Sequence, residues 1–368
     1  MRKDLFITLL SILPLVTFSQ KDPAVSATKM QSVYEEVKTP YKYGLIIVPE
    51  SDSQKIDCPT VFRKGRTWYM SYIVFNGRGY ETWLSKSSDL LHWQRLGRIL
   101  SFSTDSTRWD ASQKAGYLSL VNTEWGGRYD LKKYKGKYWL SYFGGREKGY
   151  EAGLLSIGIA STSNDPTVPH EWQTSSQPAF TSLDSNVRWW ENKKLFKSTV
   201  IHDRKKITGY PFLMYYNANG DTARDNKKTR WFERIGMSVS NDMIHWKRFN
   251  NEPVVHHPVG ITGDPMIQKM GDVWVMFYFG AFWQDRKGAF NRFACSYDLV
   301  NWTDWTGGNL IESSEPYDER YAHKSFVVKH NGVVYHFYNA VNNKEQRGIA
   351  VATSKDLGKS SLNFVSSK

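Results

Sequence analysis

Five times along this chain a Ser-x-Asp core closes a strand-like run, and that recurrence constrains the fold more than any other feature. It reads "SKSSDLLHW" (Ser85–Trp93), "SVSNDMIHW" (Ser238–Trp246) and "ACSYDLVNW" (Ala294–Trp302). A stretched copy is "ASTSNDPTVPHEW" (Ala160–Trp172), and "VATSKDLG" (Val351–Gly358) lacks the Trp. The aspartates Asp89, Asp165, Asp242, Asp298 and Asp356 lie 76, 77, 56 and 58 residues apart. One supersecondary unit returning at such spacings is the sequence mark of a repeat architecture. A single catalytic centre has no use for five equivalent residues, so these aspartates are expected to be structural.

Each copy follows two strand-like runs joined by a short turn. They are "PTVFRKGRTWYMSY", "YDLKKYKGKYWLSYF", "STVIHDRKKITGYPFLMYY", "DPMIQKMGDVWVMFYF" and "HKSFVVKHNGVVYHFYNA". Alternation, aromatic and β-branched residues, and Gly at several of the turns are hairpin signals. The pattern predicts an all-β fold, a five-bladed β-propeller over residues 45–368, in which radial repetition leaves only short protected edges. Residues 20–44 read as an N-terminal amphipathic helix. Asp22-Pro23 resembles a helix start, Met30, Val33, Tyr34 and Val37 follow helical spacing, and Pro40 ends the run.

The first 19 residues have a basic start and an apolar centre, which reads as a cleaved secretory signal and predicts export to the periplasm or beyond. The apolar run is short for a membrane span, and no Cys near the cleavage point offers a membrane anchor. The net charge of +13 is spread along the chain without a Lys/Arg block. Nucleic-acid binding normally shows a clustered basic face, so it is not expected. A diffuse positive field suits an anionic polysaccharide better. The two cysteines, Cys58 and Cys295, have no metal-ligand spacing and read as buried thiols. Adjacent His256 and His257 would point to opposite faces of an extended segment, which disfavours a shared metal.

In a propeller the start of each innermost strand and the loop after the second strand share one face. That face receives Asp57, Asp264 and "YDERYAHK" (Tyr317–Lys324), together with "FNGRGYE", "FGGREKGYE", "NANGD", "FGAFWQD" and "NAVNNKE". Planar amides and guanidinium groups for hydroxyls and carboxylates, and rings for stacking, are the chemistry of sugar recognition. Asn76, Arg78, Arg146, Trp283 and Asn339 are the substrate-binding candidates in these loops.

These residues carry a resemblance. "IDCPTVF", "GDPMI", "AHKSFVVKHNGVVYHFY", "EEVKTPYKYG" and "ERIGMSVSNDMIHW" make the chain similar to the secreted glycoside hydrolases of families 43 and 117, leaning to the family 117 anhydro-galactosidases. The resemblance implies an inverting, exo-acting enzyme that removes a terminal sugar, 3,6-anhydro-L-galactose in the family 117 case. It places the general base on Asp57, a second carboxylate on Asp264, and the acid on His323 or Glu319. It requires no cofactor, allows a divalent cation in the central channel, and suggests a homodimer through the N-terminal helix. Two alternatives stand beside it: a family 43-type α-L-arabinofuranosidase or β-xylosidase, and a propeller that binds glycans without cutting them.

Overall fold

The computed structural model describes residues 24–220, 232–286 and 288–364. The expected secretory signal and the expected helix start at Asp22-Pro23 lie outside the described residues. The helix α1 spans Ala27–Val37 and is capped by Ser26, whose hydroxyl accepts the Lys29 N–H at 3.3 Å. Met30, Val33 and Val37 bury its apolar stripe against the chain's own core, and Tyr34 stacks on Trp305 at 5.1 Å. No helix among the described residues is long and apolar enough to cross a membrane.

Every other regular element among the described residues is a β-strand. Strand β1 (Tyr41–Ile47) precedes a meander of β2 (Lys55–Lys64), β3 (Thr67–Phe75), β4 (Tyr80–Ser87) and β5 (Gln94–Leu100). A second comprises β6 (Gln113–Leu118), β7 (Tyr138–Gly145), β8 (Ser156–Thr162) and β9 (Gln173–Thr174). Next come β10 (Lys194–His202), β11 (Phe212–Asn219), β12 (Phe232–Ser240) and β13 (Lys247–Arg248), then β14 (Gly260–Met270), β15 (Val273–Ala281), β16 (Ala289–Ser296) and β17 (Thr303–Asp304). These eight form one sheet, yet only two parallel pairs, Phe232 with Gly260 and Glu233 with Ile261, join its halves. The last sheet contains β18 (Tyr321–His330), β19 (Val333–Val341) and β20 (Arg347–Thr353), with β1 as its outer strand. Residues 41–44, read from sequence as part of the helical extension, therefore belong to the final sheet.

The leading strands β6, β10, β14, β18 and β2 pack in that succession. They are buried over most of their length, as strands covered on both faces are. The second module corrects the sequence reading. Its leading strand is "QKAGYL", not the run beginning at Tyr129, where Asp130 and Leu131 make only isolated bridges. "QKAGYL" lacks β-branched residues because the space is small: a Cβ on Gly116 would lie 2.5 Å from Leu140.

The repeated aspartates are turn-builders. The Ser87 hydroxyl accepts the N–H groups of Asp89 and Leu90, and Asp89 Oδ1 accepts those of Leu91 and His92 at 2.9 and 2.8 Å. Ser240/Asp242 and Ser296/Asp298 repeat the geometry. Each turn holds a buried apolar residue in the left-handed region, Leu90, Met243 and Leu299, at φ of 71°, 69° and 68°. Side-chain oxygens satisfying successive backbone donors stabilise that otherwise unfavourable conformation.

Candidate active site

Bulges at the starts of the leading strands build the site. In β2 the ladder shifts between Asp57 and Thr60, in β14 between Gly263 and Met266, and in β18 between His323 and Phe326. The extra residue in each is left-handed: Cys58 at φ 53°, Asp264 at 55° and Lys324 at 62°. Such bulges re-aim side chains, and Pro59 and Pro265 fit where a ladder N–H is already lost. The register also corrects a sequence inference. Asp57 and Asp264 are not equivalent: the counterpart of Asp264 is Cys58, and that of Asp57 is Gly263.

The re-aimed side chains wall a cavity of about 320 Å3. Asp264, His323, Lys324, Cys58, Glu151 and Glu233 line it, with Lys197, Arg347 and Arg320. Tyr80, Tyr117 and Tyr150 supply aromatic surface, and Tyr150 packs edge-on to Phe75 at 5.5 Å. Asp57 lies behind this wall and is fully buried, with Oδ1 3.2 Å from Lys324 Nζ and Oδ2 3.2 Å from Arg347. Burial favours its neutral form, but Lys324 and Arg347 together outweigh that and hold the carboxyl below its ordinary range. An Asp so enclosed cannot activate a water in the cavity, which corrects the expectation of Asp57 as base.

Glu233, from β12, behaves oppositely. Burial, reinforced by Glu151 and Asp264, pushes its carboxyl up to about 8, although Asn217 Nδ2 donates to it at 2.7 Å. Burial also raises Glu151, while Lys324 and Arg347 pull it back toward the charged form. Asp264 accepts the Cys58 thiol at 3.3 Å and lies 3.9 Å from Lys197 Nζ.

His323 is in the cavity wall, but burial, assisted by Lys324, lowers its pKa to about 3. It is a neutral imidazole at ordinary pH, 3.3 Å from the Asn339 carbonyl, and has no proton of suitable acidity to give. Glu319 is exposed, accepts the Asn343 N–H at 3.0 Å and does not line the cavity. Neither therefore fits the general acid.

The binding candidates are also redistributed. Trp283 is buried, stacked on His257 at 3.9 Å, and donates to the Ile261 carbonyl. Its neighbour Phe282 lines the cavity instead. Asn339 is fully buried and ties Ile56 O to Gly348 O at 2.7 and 2.9 Å. Asn76 bonds Glu81, Arg78 lies over the Phe102 ring at 4.4 Å, and Arg146 donates to Ser106 O. None of these five lines the cavity.

The carboxylates of Asp57 and Asp264 face ammonium groups, and among the described residues no group of three or more His, Cys, Asp or Glu is placed to hold a metal. Glu151 and Glu233 were the residues sequence reasoning missed. Both stood in conspicuous segments, "FGGREKGYE" and "ERIGMSVSNDMIHW", but neither begins a leading strand.

No family model matches the sequence. A Thermoanaerobacter sp. (strain X514) β-1,2-mannobiose phosphorylase is 29% identical over 135 residues, a match spanning 34% of this chain and 42% of that protein. A solved structure of a BT0996 RGII complex is 52% identical, covers 92% of this chain and 98% of its own, and superposes with a TM-score of 0.88. Another, described as "Glycoside hydrolase", is 51% identical, covers 93% of this chain and 99% of its own, also with a TM-score of 0.88. Likeness at that identity over nearly the whole of both chains, with two half-buried glutamates lining a single cavity, shows that this chain belongs to the glycoside hydrolases.

Proposed function

We propose that the four sheets form a five-bladed propeller whose mouth holds one terminal sugar, and that the chain is an exported, exo-acting glycoside hydrolase. The observation that carries the reading is that Glu233 and Glu151 line one cavity in different surroundings: burial pushes Glu233 up to about 8, whereas at Glu151 the same effect of burial is opposed by Lys324 and Arg347. Glycoside hydrolysis needs one protonated group at the leaving oxygen and one ionised group at the anomeric centre or its water. Glu233, protonated near neutrality, is the acid. Glu151, kept chargeable by Lys324 and Arg347, is the ionised partner. Asp57 positions these two cations from behind.

A cavity of about 320 Å3 lies at the small end of ligand pockets, which favours a terminal ring over an internal one. Most of its charges are paired within the protein: Asp57 faces Lys324 and Arg347, Asp264 lies beside Lys197, and Glu345 meets Arg320, Arg347 and Lys55. The ring it holds is therefore uncharged, and any anionic character of the substrate belongs to sugars further from the cleaved end.

The test is digestion of RGII-derived oligosaccharides, agar oligosaccharides and a nitrophenyl glycoside panel, with products identified. Release of one neutral monosaccharide, abolished in Glu233→Gln, supports the reading. The anomer first released, read by NMR, decides between inversion and retention. Release of anhydro-galactose would assign the family 117 substrate, and release of L-arabinose or D-xylose the family 43 type. Turnover strictly dependent on inorganic phosphate would instead indicate a phosphorylase, a reading favoured by the Lys324/Arg347 pair and the mannobiose phosphorylase likeness.

A further inference from the structure

The floor of the cavity carries polar atoms that the protein itself does not use. Lys197 of β10, Asn217 of β11 and Tyr117 of β6 each retain only 2% exposure, and all three line the cavity. The Lys197 ammonium, the Asn217 Oδ1 and the Tyr117 hydroxyl have no hydrogen-bond partner. Tyr117 has the thiol of Cys58 beside it, a weak acceptor at best. Lys197 is balanced in charge by Asp264, but 3.9 Å is beyond hydrogen-bond reach, so its donors stay unspent. Leaving one buried polar atom unmade is costly and calls for a cause. Three such atoms from three strands, converging on one floor beside a carboxylate, share a cause.

Their chemistry identifies the guest. A cationic donor, a phenol, an amide acceptor and a carboxylate match neighbouring hydroxyls, each of which both donates and accepts. An anion would meet Asp264 and the Asn217 carbonyl, and a metal would meet the Lys197 ammonium. We propose that Lys197, Asp264, Tyr117 and Asn217 form a subsite that reads a vicinal diol on the terminal sugar and so determines which neutral sugar is accepted. This rests on the reading that the cavity holds that sugar. The rival occupant is water: a cleft of about 30 Å3 that shares Tyr117 and Lys197 with the cavity has room for a water molecule.

The experiment uses the full chain carrying Glu233→Gln, with neutral aldopentoses and aldohexoses, their uronic acids and single-deoxy analogues, by saturation-transfer NMR and calorimetry. The expected result is that one neutral aldose binds and that Tyr117→Phe and Lys197→Met each weaken it tenfold or more. Removing one particular hydroxyl from the sugar should cost as much, and Tyr117→Phe should add little to that loss. An unchanged melting temperature in Tyr117→Phe shows that the fold is intact, should Lys197→Met fail to fold. In the active enzyme, Tyr117→Phe raises KM with little change in kcat. Unchanged affinity in Tyr117→Phe assigns the floor to water and overturns the proposal, as does tighter binding of a uronic acid or of no aldose at all. Floor-dependent sugar binding without cleavage of any oligosaccharide sustains the subsite and sinks the hydrolase reading alone.

Discussion

Asp57 and Lys324 meet 3.2 Å apart behind the cavity, joining the leading strand of the first meander to that of the last sheet. Removing one partner of a buried pair strands the other charge, at about 3–5 kcal/mol. Asp57→Ala is therefore expected to lower unfolding free energy by about that amount, read by urea titration. Because the folded carboxyl is held below its ordinary value, its contribution is full above the unfolded pKa of about 3.9. It is lost as the pH falls through the folded value, so wild type and variant should converge in strong acid.

Glu233 predicts an alkaline limit to catalysis. With its carboxyl pushed up to about 8, kcat/KM should fall above that pH, and Glu233→Gln should cost about 100- to 10,000-fold. Stability has the opposite linkage to Asp57. A raised folded pKa means the unfolded chain releases its proton first, so wild-type stability declines from about pH 4 upward until the folded group titrates. Glu233→Gln, fixed in a neutral form, should lack that decline and be the more stable protein at pH 8 in a melting series.

The repeated turns give a negative control for activity. Asp242 holds the N–H groups of Ile244 and His245 and does not line the cavity. Asp242→Ala should cost about 1 kcal/mol, as loss of a side-chain cap does, with kcat/KM unchanged.

Trp283 separates a packing role from a binding one. Trp283→Ala should lose about 3–5 kcal/mol by leaving a cavity, measured by thermal melting, because the ring fills space between His257 and Phe290. Phe282 is 39% exposed and lines the cavity, so Phe282→Ala should change KM with little loss of stability.

The repeat was legible because it is written in side chains that satisfy local backbone donors: Ser87/Asp89, Ser240/Asp242 and Ser296/Asp298 recur with little variation. Asp264 and His323 were legible as cavity residues because each lies beside a strand start. The roles were not. A one-residue bulge offset puts Asp57 behind the wall and Lys324 into it, and no local pattern announces a bulge whose extra residue is Cys in one strand and Lys in another. Glu151 and Glu233 escaped because their significance comes from burial among charges far apart in sequence. Tyr117 escaped for a related reason, since "QKAGYL" has too few β-branched residues to advertise a strand.

The pairing of β1 with β20 brings Tyr41 against Thr353. During synthesis, the earliest of the described strands must therefore wait for the latest of them. Through that interval its backbone donors and acceptors lack their native ladder, an open invitation to pair with a neighbouring molecule. Rearranging the gene so that β1 follows β20 directly should shorten the wait and raise the yield of folded protein.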